Sequence, residues 1–599
     1  MEKIGKITEL NGKSFYYSFL AGAKNLFDNQ KYINKINVFP VPDADTGTNL
    51  ASTLQSIIDN VIPSNHLKQT SVAIADAAIV GARGNSGIIF AQFLYGFSNE
   101  VSDNESISID KFAENLKQAV IYAYESIINP VEGTMITVLK DWAEYIYLIK
   151  DKTDDFIELI IESYKRASES LKETTQKLEV LKKYNVVDAG AQGFLFFLEG
   201  MISYFKDGSL KNLATTRNLT RNDEFIDTHE DITFRYCTEA LIGGENLNKK
   251  LLQSKIEKLG DSLVIAGSSK KLRLHIHTDR PDEVFSIIGK NSTILSQKVD
   301  DMVFQNDIQN NRKWNIGLVT DSCADLPQEL MEKYQIHMVP LTLHVGQNQY
   351  VDKLTITASQ FYDILRNSPD YPTSSQPGKK EFLNKYLYLT THYDSIISVN
   401  LSEKLSGTYN NSKAAAHAIS YQTGKKIDVF NAKTLSGPQG LLMLRIAKAI
   451  EAGMTHDEIL SKIDEWIDKT QLYVNVKTLK YFIKGGRVSP LKGFISNLLN
   501  VKPIVSVDKE GKAAVFTKSF SRNGSINKTL GLLKKHAQND KIHSYCILYA
   551  NKEEESTAKW YAEKVASIFG KKPAYIMSIS PVIGVSAGIG TIAVAMLFE

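Results

Sequence analysis

Across residues 14 to about 205 apolar residues recur at spacings of three and four, and after residue 232 that period gives way to short β-like runs, so one architecture cannot serve the whole chain. The first region contains SFYYSFLAGAKNLF, NLASTLQSIIDNVI, SVAIADAAIVGARG, IDKFAENLKQAVIYAYESII and FIELIIESYKRASESLKETTQKLEVL, each with an apolar stripe, which predicts an all-α unit. FRYCTEALI, SLVIAGS and KLRLHIHT then predict strands around the helical KKLLQSKIEKLG, a small α/β domain. From residue 314 onward the strands DSIISVNL, KIDVFN and HSYCILYA alternate with the helices LMLRIAKAIEAG and TAKWYAEKVASIFG, the pattern of layered α/β architecture. The polar stretches LATTRNLTRNDEFIDTHED and NDIQNNRKWN read as separators. The expected division is 1–208, 209–312 and 313–599, because 599 residues exceed what one hydrophobic core can organise.

Composition excludes several classes. Hydrophobic residues at 43% and charged residues at 23% match a folded globular chain. A formal charge of +3 gives no reason to expect nucleic acid as partner. Three widely spaced cysteines, Cys237, Cys323 and Cys546, argue against a disulfide framework and for a reducing, cytoplasmic setting. The N-terminal MEKIGKITELNGKSF lacks the apolar core of a secretory signal. Ile579 to Phe598 is uncharged and long enough to span a bilayer. It carries Pro581 and glycines, however, and reads as a buried strand and Gly-rich turn leading into a core helix rather than an integral membrane segment.

Four polar loops interrupt the helical region: NVFPVPDADTGTN, GARGNSG, NPVEGTM and VVDAGAQG. In the first, Asp43 and Asp45 stand two residues apart, so in an extended loop both carboxylates point one way and can converge on Mg²⁺. Gly47, Thr48 and Asn49 follow with backbone amides at a helix start, where phosphate oxygens are favoured. An Asx turn with a helix cap uses the same residues. His275 and His277 share one face of a strand, and with Cys237 they form a donor set suited to Zn²⁺; a metal-free surface strand reads the same way. In the third region Thr373-Ser374-Ser375-Gln-Pro, Leu405-Ser406-Gly407-Thr408 and Lys484-Gly485-Gly486-Arg487 offer hydroxyls and amides for a carboxylate or phosphate, or plain helix caps.

Together the four loops resemble the nucleotide-binding L-subunit domain of dihydroxyacetone kinases, more closely the version at the N-terminus of bacterial fatty acid kinases, over residues 1 to about 208. The resemblance implies an antiparallel helical barrel holding ATP through two Mg²⁺ ions on an aspartate cluster. Asp43 and Asp45 match its central pair, and Asn37 stands near a further aspartate position. Thr48, Asn49, Gly84, Asn85, Ser86, Thr134 and Gly190 inherit nucleotide-binding roles, and Ala44 replaces a common glycine. The middle region is similar to that of fatty acid kinases, in which a Cys and a His-x-His strand bind zinc; Cys237, His275 and His277 match.

From about 314 to 599, Thr320-Asp321-Ser322, the run Asn431 to Gly437, Lys502-Pro503-Ile504 and Pro581-Val-Ile-Gly584 complete a set that resembles the DegV family. This implies a long-chain fatty acid in an apolar tunnel between two α/β subdomains. Ser374, Ser375 and Ser406 would hold the acyl carboxylate and Arg522 a phosphate. One departure stands out: the family reads Ile-Gly-x-His-x-Gly-Pro-Gly where this chain has Ile583-Gly-Val-Ser586-Ala-Gly-Ile-Gly590.

The combined expectation is an Mg-ATP-dependent kinase that phosphorylates a long-chain fatty acid carboxylate, with acyltransferases that use acyl phosphate as partners. A linker near 310 too short for that carboxylate to reach the metals would require transfer between chains, which makes a homodimer part of the expectation. A kinase for a small polyol or ketone such as dihydroxyacetone, and a lipid-binding or regulatory protein without catalysis, are the rival readings.

Overall fold

A computed structural model describes residues 6–40, 44–207, 232–487 and 501–599. The chain divides into two units, residues 1–303 and 304–599. Asp43 and the expected linker at 213–231 lie outside the described residues.

Among the described residues the first unit begins with ten α-helices: α1 Gly12–Asp28, α2 Gln30–Lys35, α3 Thr46–Asn60, α4 Leu67–Gly81, α5 Gly84–Glu100, α6 Ile109–Tyr124, α7 Met135–Ile149, α8 Phe156–Lys177, α9 Glu179–Tyr184 and α10 Ala189–Asp207. The expected all-α character holds apart from a two-stranded ribbon, β1 Glu9–Asn11 with β2 Ser106–Ser108. Side-chain caps fix two helix starts: Asn11 Oδ1 accepts the Ser14 N–H at 2.9 Å, and Asp155 Oδ1 that of Ile157 at 3.0 Å. The core is aromatic, with Phe19, Phe90 and Phe197 in mutual contact and Phe194 joining them to Trp142. α1 and α10 cross where both carry glycine: a Cβ on Gly200 would sit 2.3 Å from the Ala21 carbonyl oxygen.

The middle region adds an antiparallel sheet in the order β4-β5-β3-β6, from β3 Tyr236–Gly243, β4 Gly260–Gly267, β5 Lys271–Thr278 and β6 Thr293–Asp301. Helix α11 Lys249–Ile256 and helix α12 Pro281–Gly289 accompany it, the latter burying Val284, Phe285 and Ile288. The sheet is tied to the helices by backbone: Ile265 N–H donates to the Ser126 carbonyl at 3.0 Å, and Gly267 N–H to Gln92 Oε1 at 2.7 Å.

NDIQNNRKWN does not separate the regions as a loop, because helix α13 Met302–Asn310 runs into it. Phe304 and Ile308, one helical turn apart, pack into the core beneath β7 Ile316–Asp321, and that burial outweighs the poor helix propensity of the asparagines.

Among the described residues the second unit holds three sheets. One is parallel, in the order β13-β12-β7-β8, with β8 Ile336–Val339, β12 Ser395–Asn400 and β13 Lys426–Asn431. A small antiparallel sheet places β9 Thr342–Val345 between β10 Asn348–Val351 and β11 Thr373–Ser375. The third is mixed, order β16-β15-β14-β19-β17-β18, from β14 Thr470–Asn475, β15 Ile504–Val507, β16 Ala513–Thr517, β17 Ile542–Tyr549, β18 Ile576–Ser578 and β19 Ile592–Phe598. The helix Ser436–Glu451 buries most of its circumference, and its leucines share one core with β12 and β14.

The C-terminal stretch reverses the expected order: helix Pro581–Ala587 comes first, then a glycine turn, then strand β19. β19 lies between β14 and β17 and is buried on both faces, so its residues read as a continuous apolar run that periodicity cannot distinguish from a core helix. Among the described residues no helix is long and apolar enough to cross a membrane.

Candidate functional site

In the first unit the starts of α3, α5, α7 and α10 gather the predicted loops. Asp45 occupies the cap position of α3, yet its side chain makes no capping bond; Oδ1 instead accepts from Asn49 Nδ2 at 2.7 Å. Ala44, beside it, takes a φ of 51°, the region that favours glycine, at a cost of about 1 kcal/mol. Thr48 is anchored rather than open: Oγ1 accepts from Gln30 Nε2 at 2.9 Å and Asn34 Nδ2 at 3.0 Å, while Asn34 Oδ1 accepts the Thr48 N–H at 3.1 Å. Gln30 and Asn34 gave no sequence signal, being ordinary polar positions of α2. Asn37 is buried just beyond that helix.

Asn49 touches the next loop, since a Cβ on Gly84 would stand 2.3 Å from its Nδ2. Gly84 opens α5 with a φ of 55°. Asn85 follows, and its Oδ1 is buried without a hydrogen-bond partner, as expected of an atom that faces a ligand. Ser86 reaches the fourth loop: a Cβ on Gly190 would lie 2.7 Å from Ser86 Oγ and 3.2 Å from Met135 Cβ. Thr134, at the cap position of α7, turns its hydroxyl to the Val131 carbonyl at 2.8 Å. Asp188, which the sequence placed in a loop without a role, accepts the Ala191 N–H at 2.8 Å; burial pushes its carboxyl up to about 6 against the N–H groups that surround it. The Thr48, Gly84 and Ala191 N–H groups are engaged by side chains, while a carboxylate at Asp45 and an orphaned amide oxygen at Asn85 are oxygen donors that fit a hard cation beside a nucleotide phosphate.

The middle sheet sets Cys237, His275 and His277 side by side, their ligand atoms all within 4.8 Å of one another. Register explains it: Cys237 pairs with His277 across β3 and β5, and His275 lies two residues along. His275 Nε2 is buried without a partner, and one sulfur with two imidazoles fits Zn²⁺. Burial lowers His277 to about 3, so it stays neutral and able to ligate. Burial first, then the charge of Glu239, pushes the Cys237 thiol up. The charge of Asp45 also acts, as a minor contribution, on Cys237 and Lys298.

Glu239, 2% exposed, binds the two parts together. Oε1 accepts the Gly84 N–H at 2.7 Å; Oε2 accepts from Arg273 at 2.7 Å and Arg83 at 3.1 Å. Burial alone would raise this carboxyl, but the hydrogen bond to His275 and the charges of Arg273 and Lys298 outweigh it and hold it well below the usual carboxylate range.

In the second unit, β11 carries Ser374 and Ser375 beside β9, where Ser375 Oγ lies 2.9 Å from His344 Nε2. Gln376 brings in Ser406: its Oε1 accepts the Gly407 N–H at 2.7 Å and the Ser406 hydroxyl at 3.4 Å. The three predicted serines thus share one neighbourhood, joined by His344, which no motif announced, and by Gln376 of the Thr373–Pro377 run. Arg522 starts the helix Arg522–Asn539 and is ion-paired with Glu554. Among the described residues no hydrogen bond joins it to those serines. Ser586 sits on the helix Pro581–Ala587 against Gly485, whose carbonyl accepts from Arg487 at 2.7 Å.

Three family models match successive parts of the chain. The DAK2 domain model matches residues 40–203, the model of the fatty acid kinase A-like middle domain matches 233–309, and the DegV family model matches 315–599. An uncharacterized protein of Staphylococcus epidermidis is 34% identical over 311 residues, 49% of this chain and 56% of that protein. One from Staphylococcus aureus is 33% identical over 312 residues with the same coverage. The chain thus spans little more than half the length of the curated relatives it matches. Among solved structures, DegV, a fatty acid binding protein from Bacillus subtilis, is 29% identical and aligns over 48% of this chain and all of its own, with a TM-score of 0.44. A DegV family protein from Thermus thermophilus is 24% identical, covers 48% of this chain and all of its own, and has a TM-score of 0.43. The chain joins, in one polypeptide, a DAK2 domain, a fatty acid kinase A-like middle domain and a DegV family domain.

Proposed function

We propose that this protein is a cytoplasmic fatty acid kinase that carries its own acyl-binding domain. The observation that supports this most strongly is the fusion itself, a DAK2 and a fatty acid kinase A-like middle region followed by a DegV region. Asp43 and Asp45 would hold Mg²⁺ with Asn37 nearby, and Thr48, Asn49, Gly84, Asn85, Ser86, Thr134 and Gly190 would surround the nucleotide. Mg²⁺ held there would offset the charge that develops during phosphoryl transfer. Cys237, His275 and His277 would hold Zn²⁺ in a supporting role. Ser374, Ser375 and Ser406 would orient the fatty acid carboxylate. That carboxylate is ionised at neutral pH and needs no general base. Its oxygen attacks the γ-phosphorus, the bond to the bridging oxygen breaks, and acyl phosphate and ADP leave.

A second reading, fatty acid binding without catalysis, draws on Ser586 in place of the family's histidine and on Arg522, whose guanidinium is engaged by Glu554. One assay separates these readings. The purified chain is incubated with Mg-ATP and oleate, acyl phosphate is trapped with hydroxylamine, and the reaction is repeated with dihydroxyacetone. Acyl hydroxamate from oleate supports the kinase. Oleate binding without product supports the carrier, and turnover of dihydroxyacetone alone overturns both.

A further inference from the structure

The Gly84 turn is held by a residue of another domain. Arg83 occupies the cap position of α5 but supplies no side-chain cap, and the first N–H groups of any helix lack partners within it. The Gly84 N–H is taken by Glu239 Oε1 at 2.7 Å, and the Arg83 guanidinium by Oε2 at 3.1 Å, while Arg273, 1% exposed, fixes the same carboxylate from behind. The next two residues are Asn85, with its orphaned buried oxygen, and Ser86, which touches Gly190. Glu239 also stands 3.8 Å from His275 Nδ1 and two residues from Cys237 on β3. One buried carboxylate therefore connects the candidate zinc cluster to the turn that presents Asn85 and Ser86.

We propose that Glu239 is a positioning residue of the nucleotide site: by binding the Gly84 N–H and Arg83 it sets the first turn of α5, so that Asn85 and Ser86 face the cation-bound phosphates of a nucleoside diphosphate or triphosphate, the Asn85 oxygen towards the cation. This rests on the kinase reading for its ligand but not for its geometry. A fixed turn contributes to affinity because the loop is ordered before the ligand arrives. It also gives the middle domain a part in nucleotide binding although none of its residues has been assigned a contact with the nucleotide.

The test uses the full chain as wild type, Glu239→Gln and Arg83→Ala. Gln keeps the shape and loses the charge; Arg83→Ala leaves the buried pair of Glu239 and Arg273 in place. Amide hydrogen exchange over residues 82–89 without nucleotide should quicken by about fivefold or more in Glu239→Gln and by less in Arg83→Ala. The Kd for a fluorescent ADP analogue with Mg²⁺ should weaken about tenfold in Glu239→Gln and about threefold in Arg83→Ala. KM for ATP should rise with it while kcat stays within about twofold, whereas simple loss of folded protein lowers kcat and leaves KM alone. Exchange and Kd both within about twofold of wild type in a folded variant overturn the proposal, as does faster exchange with unchanged Kd. If Glu239→Gln does not fold, Arg83→Ala decides by the same criteria. A wild type that binds no ADP refutes the kinase reading, and the proposed role of Glu239 in nucleotide binding falls with it; exchange over 82–89 then still shows whether Glu239 orders the turn.

Discussion

Glu239 in the first unit and Asp352 in the second are carboxyl groups equally withdrawn from water, 2% and 0% exposed, and they stand at opposite ends of the proton scale. Glu239 faces Arg273, Arg83, His275 and Lys298 and is held well below the usual range. Asp352 has weaker donors, the Val582 N–H at 3.3 Å and the Ser322 hydroxyl, and its Oδ2 has no partner. Lys353, the cation beside it, donates to the Ala324 carbonyl at 2.7 Å, so burial dominates and pushes Asp352 up to about 7. Asp321 and Asp325 of the same unit are raised too. At equal burial, the donors and cations aimed at a carboxyl group decide whether the effect of burial prevails. The Glu239 network keeps fixed charge beside the candidate metal and phosphate site, whereas burial raises Asp321, Asp325 and Asp352 of the second unit.

The largest effect tests whether the two units divide the labour. On the proposed kinase reading, Asp45→Asn should lower acyl phosphate formation by about a thousandfold, measured by hydroxylamine trapping, because it removes one candidate charged ligand for the cation. Oleate binding, followed by fluorescence competition, should not change. Lipid binding lost together with activity would break the division.

Asp352 sharpens the contrast through pH. Its folded pKa of about 7 lies above the ordinary aspartate value of 3.8, so the folded state holds a proton that the unfolded chain releases. The associated stability is fully present below about pH 4 and drains away as pH rises through about 7, a few kcal/mol at most. Urea unfolding followed from pH 5 to pH 8 should show this decline, and Asp352→Asn, neutral throughout, should flatten it. Asp188 contributes a smaller slope of the same sign, which the Asn variant leaves in place. A profile that Asp352→Asn does not alter would show that the acid is ionised in the folded protein.

The smallest expected effect concerns the metal cluster beside Glu239. Cys237→Ser should reduce zinc per chain at least about tenfold by elemental analysis, since the thiolate is the only soft donor of the set. Wild type purified without chelator and free of zinc would remove the metal from the account, leaving the Glu239 network as that region's whole electrostatic core.

Much of this was legible beforehand. Amphipathic spacing located α1, α3, α4, α6 and α8, and the His-x-His run placed two imidazoles on one face, because both follow from local periodicity. Other features were not legible. GARGNSG looked like a loop, yet Gly84 already begins α5. Glu239 looked like any polar residue of a strand, because its partners Arg83 and Arg273 lie 156 and 34 residues away. His344 and Gln376 acquire their places only when β9, β11 and the Ser406 turn meet.

The sequence by itself determined the three regions, their helical or strand character and the kinds of donor available, since these depend on residue type at short spacing. Tertiary structure decided which donors share a site and which buried acids keep their charge. Those outcomes depend on distance and on the charges that long-range packing brings near, and neither is written in the order of residues along the chain.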